Sequence, residues 1–174
     1  MKENFDFCLQ TILKHEGGFV DHPKDPGGAT NKGITKKTYE NYLRKKVSVD
    51  ELKEISEDHI NGIYSKMYWV PIKGNDLPHG IDLCVFDWAV NSGPRRACKE
   101  LQSIIGTTTD GVIGPITLSL VENYTPTTLV EELASARETF YRSLSNFDTF
   151  GKGWLRRNEE TRNLSLGLFN ESSE

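Results

Sequence analysis

The sequence predicts a predominantly α-helical α+β fold with two lobes and a small β region. Three observations carry that reading. Apolar residues recur at helical spacing through most of the chain. One segment, residues 17–33, is so dense in glycine and proline that it excludes helix and suits short strands and tight turns. The second half then returns to helical spacing with few interruptions.

Taken in order, Phe5, Cys8, Leu9, Ile12 and Leu13 share one face, which predicts a helix over residues 4–15 with Asn4 as its N-cap. Gly17 and Gly18 end it, so Glu16 falls in the last turn, where the chain leaves the helix. The run GGFVDHPKDPGGATNKG fits tight turns and a small hairpin. Thr35 can cap a second helix through Tyr42, and Ser48 with Glu51 has the pattern of a capping box. Ile60, Ile63, Tyr64 and Met67 mark a further helix that stops near Trp69, ahead of Pro71.

Beyond it, Leu83, Phe86 and Val90 define one face of the next helix. Pro94 opens another at its first position, and Gly106 closes it after Ala97, Cys98, Leu101, Ile104 and Ile105. Asp110 to Pro115, DGVIGP, reads as a turn. Leu129, Val130, Leu133, Ala136, Phe140 and Leu144 build a long helix, and Trp154 to Phe169 the last one. The acidic, serine-rich tail after Asn170 is expected to fray.

A chain of 174 residues can bury a core without staples. Its net charge of -4 offers no basic footprint for nucleic acid, so none is expected as a partner. The same charge gives no general attraction to an anionic polymer, so affinity for one must come from local contacts. The three cysteines, Cys8, Cys84 and Cys98, show no C-x-x-C spacing and read as reduced, with no zinc or other metal site expected. The N-terminus carries Glu3 and Asp6 and no continuous apolar run, so neither a secretory signal nor membrane insertion is expected.

The chemically informative string is HEGGFVDHPKDPGGATNKGIT, His15 to Thr35, with carboxylates at Glu16, Asp21 and Asp25. Hydrolysis of a sugar linkage needs a protonated carboxylic acid beside the leaving oxygen and usually a second carboxylate. Glu16 lies one turn past Ile12, at the edge of the expected core, and a helix C-terminus disfavours an ionised carboxylate. Asp25, set in a Pro-Gly-Gly turn, should stay solvated and ionised. The blander readings are a solvated Glu at a helix end and an Asp that binds turn amides. Asp21 is the rival to Asp25, and His15 and His22 flank the site. Tyr68, Trp69 and Trp88 could present platforms for sugar rings, or simply pack in the core. Asp87 and Asn91, one helical turn apart, could line a cleft or cap a neighbouring segment.

Glu16-Gly17-Gly18-Phe19, Asp25-Pro26-Gly27-Gly28, Thr30 and Gly33-Ile34-Thr35 resemble the signature of the family-108 glycoside hydrolases, which are N-acetylmuramidases and include many phage endolysins. The likeness continues through Phe86-Asp87 to Pro94, Leu101-Gln102, Asp110 to Thr117 and Gly153-Trp154-x-x-Arg157, which resemble that family's C-terminal peptidoglycan-binding region. Phe19 stands where the family often has Tyr, which keeps the ring and loses a hydroxyl. The resemblance implies a lysozyme-like fold, a catalytic lobe over residues 1–75, and a helical peptidoglycan-binding lobe over 76–174. It implies Glu16 as general acid. A second likeness, to the Glu, Asp and Thr of phage-type lysozymes, points to Asp25 polarising a water and Thr30 helping to hold it. That arrangement would invert at the anomeric carbon.

The expected activity is therefore cleavage of the β-1,4 bond between N-acetylmuramic acid and N-acetylglucosamine. No cofactor is expected, since acid–base chemistry here needs only carboxylates and water. Peptidoglycan glycan strands are the expected partner of a monomeric enzyme. It would be made in the cytoplasm and act on the wall after holin-type release, in the manner of a phage or prophage endolysin. The alternatives are a non-catalytic wall-binding or secretion-associated protein and an amidase or peptidase acting on the peptide stem. The last would want a metal cluster or a Cys-His pair.

Overall fold

The computed structural model describes residues 2–21 and 28–171, with no account of the side chains of residues 2, 3, 170 and 171. The chain is predominantly helical with one small antiparallel sheet, and it divides into two compact units. One unit is Leu9–Met67; the other joins Met1–Cys8 to Tyr68–Glu174.

The first helix, α1, spans Lys2–Glu16 and contributes to both units. Phe5, Cys8, Leu9 and Ile12, at helical spacing, are its buried apolar positions, and Thr11 is buried beside them. The helix starts ahead of Asn4, whose side chain does not cap it but donates to Asp82 Oδ2 at 3.1 Å.

In the unit Leu9–Met67, β1 (Thr30–Asn31) pairs antiparallel with β2 (Ile34–Thr35), Thr30 opposite Thr35 and Asn31 opposite Ile34. The two central residues, Lys32 at φ 48 and Gly33 at φ 74, are both left-handed, the geometry of a type I′ hairpin turn. Val20 bridges Thr30 on the other side through two backbone hydrogen bonds of 2.8 Å. Buried Asn31 donates to the carbonyls of Leu52 and Lys53, both at 3.0 Å, and so ties the hairpin to the end of α3 (Val49–Lys53). Thr35 caps α2 (Lys36–Leu43), accepting from the Thr38 amide. Ser48 and Glu51 form the capping box of α3, and Ser56 caps α4 (Glu57–Tyr64). These caps satisfy amides that a helix start leaves without partners. A π-helical turn, Ser65–Trp69, extends α4.

In the other unit, α5 (Ile81–Ser92) is buried at every residue from Ile81 to Ala89. In place of the single apolar face expected of it, its whole circumference is buried, Asp82 and Asp87 included, covered by α6 (Pro94–Ile104), α8 (Pro126–Arg142) and α9 (Phe147–Glu171). Burying a side chain such as Phe86 is worth about 1.5–3 kcal/mol. Pro94 stands in the first turn of α6. Between α6 and α7 (Pro115–Glu122), Gln102 holds the DGVIGP turn. Its amide donates to Asp110 Oδ1 and Val112 O and accepts from the Gly111 amide, at 2.8, 3.0 and 2.8 Å. The aspartate of that turn is thus a scaffold residue, its carboxyl held below the ordinary range by Gln102 and the Val112 amide.

Candidate active site

Glu16 is the last residue of α1 and is half-buried. Its surroundings follow from the hairpin. The type I′ turn requires a left-handed residue at position 33, and the space there allows nothing larger than glycine. A Cβ on Gly33 would lie 2.8 Å from Glu16 Oε2 and 2.6 Å from the Tyr64 hydroxyl oxygen. The carboxyl group and the phenol therefore converge on the exposed backbone of Gly33. Tyr64, from the end of α4, is itself fixed by donating to the Lys32 carbonyl at 2.8 Å. A helix end, a hairpin tip and a second helix end thus meet at one carboxyl group.

Thr30 sits at the start of β1, half-buried, with both backbone groups bonded to Val20 and its hydroxyl donating toward the Gly28 carbonyl at 3.4 Å. Asp25 and His22 lie outside the described residues. Asp21 is described and exposed, and His15 is half-buried. Phe19, the position that differs from the more frequent Tyr, has the Lys53 ammonium over its ring at 5.0 Å. Among the described residues no group of three His, Cys, Asp or Glu could hold a metal ion.

The residues considered for sugar contact divide sharply. Trp69 is 2 % exposed, packed edge-on to Phe5 and Phe86, and its Nε1 donates to Asn75 at 2.9 Å. Trp88 is 1 % exposed and tilted against Phe140. Neither is a surface platform for a sugar ring; both are core. Asp87 is corrected in the same way. It is 1 % exposed, bonded to Arg137 at 2.6 Å and to Arg157 at 2.8 and 3.0 Å, with Thr161 donating at 3.2 Å. Burial alone would raise its pKa, but the two guanidiniums outweigh burial and hold it at about 2. Asp87 and Trp88 turn inward because α5 is surrounded, so its polar positions face helices and not solvent; Trp69, in the π-helical turn, is covered by Phe5 and Phe86. Arg157 of the Gly-Trp-x-x-Arg motif is the partner of the aspartate in the Phe-Asp motif, 70 residues earlier. Tyr68 is half-buried in the π-helical turn. Asn91 is exposed and accepts from the Tyr141 hydroxyl at 2.8 Å.

The three cysteines are free and buried. Burial pushes the Cys84 thiol up to about 12 and the Cys98 thiol to about 11, and raises Cys8 as well. None is a thiolate nucleophile at neutral pH. Sequence reasoning missed Tyr64 and Arg137 as site and scaffold residues. Tyr64 sits in an apolar stripe and looked like core. Arg137 lies in the middle of α8, and nothing near it in the sequence marks it as the partner of Asp87.

A helical fold with a carboxyl group beside a hairpin tip is an arrangement suited to acid-catalysed cleavage of a sugar linkage. Residues 9–93 match the family described as "Glycosyl hydrolase 108", and residues 96–159 match "Predicted Peptidoglycan domain". The chain is 42% identical to SagA of Brucella abortus, whose solved structure superposes with a TM-score of 0.84 over 96% of each chain. No curated protein matches the sequence. The chain belongs to glycosyl hydrolase family 108 and carries a peptidoglycan-binding region in its C-terminal part.

Proposed function

We propose that the protein is a muramidase that hydrolyses the β-1,4 bond between N-acetylmuramic acid and N-acetylglucosamine, with Glu16 as general acid. The observation that carries this reading is the placement of the Glu16 carboxyl, half-buried at a helix end and crowded against Gly33 beside the Tyr64 hydroxyl. A group so held keeps one orientation toward a leaving oxygen, and the glycine leaves its outer side open to a polymer. Glu16 protonates the glycosidic oxygen as the bond to the anomeric carbon breaks. Asp25 takes a proton from a water that attacks the opposite face, and Thr30 helps to place that water. The products are a free reducing muramic acid and a glucosamine 4-hydroxyl, and the outcome is inversion. The N-terminal lobe supplies this chemistry, and the C-terminal region grips the wall polymer. Tyr68 and Asn91, the two polar candidates that are not buried, would be the ones to contact sugar. The enzyme works as a monomer at the bacterial wall, as an endolysin of a phage or prophage does after release.

Mass spectrometry of digested sacculi tests the reading. New reducing muramic acid ends, absent from a Glu16→Gln digest, are expected. Reducing glucosamine ends, released stem peptides, or clearing by Glu16→Gln equal to that of the parent would each refute it.

A further inference from the structure

A groove next to Glu16 bears local cations on a chain whose net charge is -4. It has a volume of about 250 Å³ and runs between the last turns of α1 and the first turns of α4. Lys14, Gly17, Lys32, Glu57 and Asn61 line it, with buried Ile60 at its floor. Two of these place it beside the reacting carboxyl: Gly17 follows Glu16 in the chain, and Lys32 precedes the Gly33 that Glu16 crowds.

Lys32 is an unusual residue for its position. At φ 48 it occupies the first central place of a type I′ turn, where Asn, Asp or Gly is favoured. A longer side chain there strains the backbone. Strain kept at such a site points to a use for the side chain. Lys36, Lys45, Lys46 and Lys53 of the same unit are paired with Glu40, Glu51, Glu40 and Asp50. Among the described residues Lys14 and Lys32 form no ion pair. A groove with two uncommitted ammonium groups, one carboxylate and the side-chain amides of Gln10 and Asn61 suits an acidic peptide. The ammonium groups meet carboxylates, the Asn61 amide meets peptide groups, and Glu57 meets an amine.

We propose that this groove binds the peptide stem of peptidoglycan through its carboxylates, so that the enzyme prefers glycan that still carries stems. The inference rests on the muramidase reading, because the stem leaves the strand from the lactyl group of the sugar whose bond Glu16 is placed to cut. A strand seated at Glu16 brings that peptide to the neighbouring wall of the site. Charge pairs of this exposed kind are worth at most about 1 kcal/mol each, so losing one should cost about fivefold in affinity.

The experiment compares glycan strands purified with stems intact and the same strands stripped by an amidase. Rates are measured for the parent, Lys14→Gln, Lys32→Asn and the double variant. Asparagine suits the left-handed turn, so Lys32→Asn keeps the hairpin. The expected result is a higher kcat/KM for stem-bearing strands in the parent. The ratio between the two substrates should fall about fivefold in each single variant, mainly through KM. Raised salt should lower the parent's ratio in the same direction. A ratio unchanged in the double variant overturns the proposal. Cleavage of neither substrate by the parent counts against the muramidase reading instead. Calorimetric titration of Glu16→Gln with a soluble muramyl tetrapeptide then decides the groove separately. Weaker binding when the two lysines are also replaced supports it, and equal affinity overturns it.

Discussion

Substitution of Gly33 by alanine is the most searching test of the site geometry. Two separate costs arise at that position. The backbone stands at φ 74, where an L-residue with a Cβ is strained by about 1–2 kcal/mol. The new Cβ would also fall 2.6 Å from the Tyr64 hydroxyl and 2.8 Å from Glu16 Oε2, so both must move. Loosening the Tyr64 bond to the Lys32 carbonyl adds about 0.5–1.5 kcal/mol. The sum is about 1.5–3.5 kcal/mol of stability. If Glu16 is the acid proposed above, a shift near 1 Å in its carboxyl should cost about a hundredfold in rate. Gly106→Ala is the control. Gly106 has nearly the same φ, 72, with nothing within 4 Å of its added Cβ. It should lose the backbone cost alone and keep its rate. Urea denaturation measures stability, and release of reducing ends measures rate. Equal stability losses in the two variants, or a Gly33→Ala rate within twofold of the parent, would refute the convergence of Glu16 and Tyr64 on this glycine.

Other expectations concern the scaffold. Arg157→Met leaves Asp87 with one guanidinium in place of two, and breaking a buried ion pair in this way should cost about 3–5 kcal/mol, read as a lower Tm. The Asp87 pKa, about 2 when folded, lies below the ordinary carboxylate value of an unfolded chain. Its stabilising contribution is therefore complete above about pH 4 and lost as pH falls toward 2, about 2 kcal/mol in all. Buried Asp82 is shifted upward, chiefly by burial and against the pull of His79, so it works in the opposite sense, losing stability as pH rises through its folded value. Stability measured against pH should thus lose part of its acid limb in Asp87→Asn; an unchanged acid limb would refute the assignment. Ser48→Ala removes one half of a capping box and should cost about 1 kcal/mol without loss of rate.

What could be read from the sequence was what repeats locally. The α1 stripe, the caps at Thr35 and Ser48, and Pro94 at a helix start all declare themselves within a few residues, and all stand in the structure. Glu16 at a helix end was legible for the same reason, because two glycines follow it. What could not be read depends on distant partners. A helix buried on all sides has no hydrophobic period, so nothing local showed that Asp87 and Trp88 in α5 point into helices α8 and α9. The partner of Asp87 lies 70 residues away, and a charge on a long helix gives no sign of which carboxylate it meets. Tyr64 was hidden by its own hydrophobicity: its ring fills the core and only its hydroxyl reaches the site.

The larger unit begins with Met1–Cys8, breaks off, and resumes at Tyr68. Phe5 stacks near Trp69 and Phe86, and Asn4 bonds to Asp82. A fragment starting at residue 76 would lose all of Asn4, Phe5 and Trp69, leaving Phe86 bare and one Asp82 oxygen short of a donor. During synthesis, moreover, Asn4 and Phe5 must wait for helices made much later before they can settle. Joining the two ends of the chain and reopening it between Cys8 and Leu9 would make that unit continuous, and is the rearrangement by which the wait could be shortened.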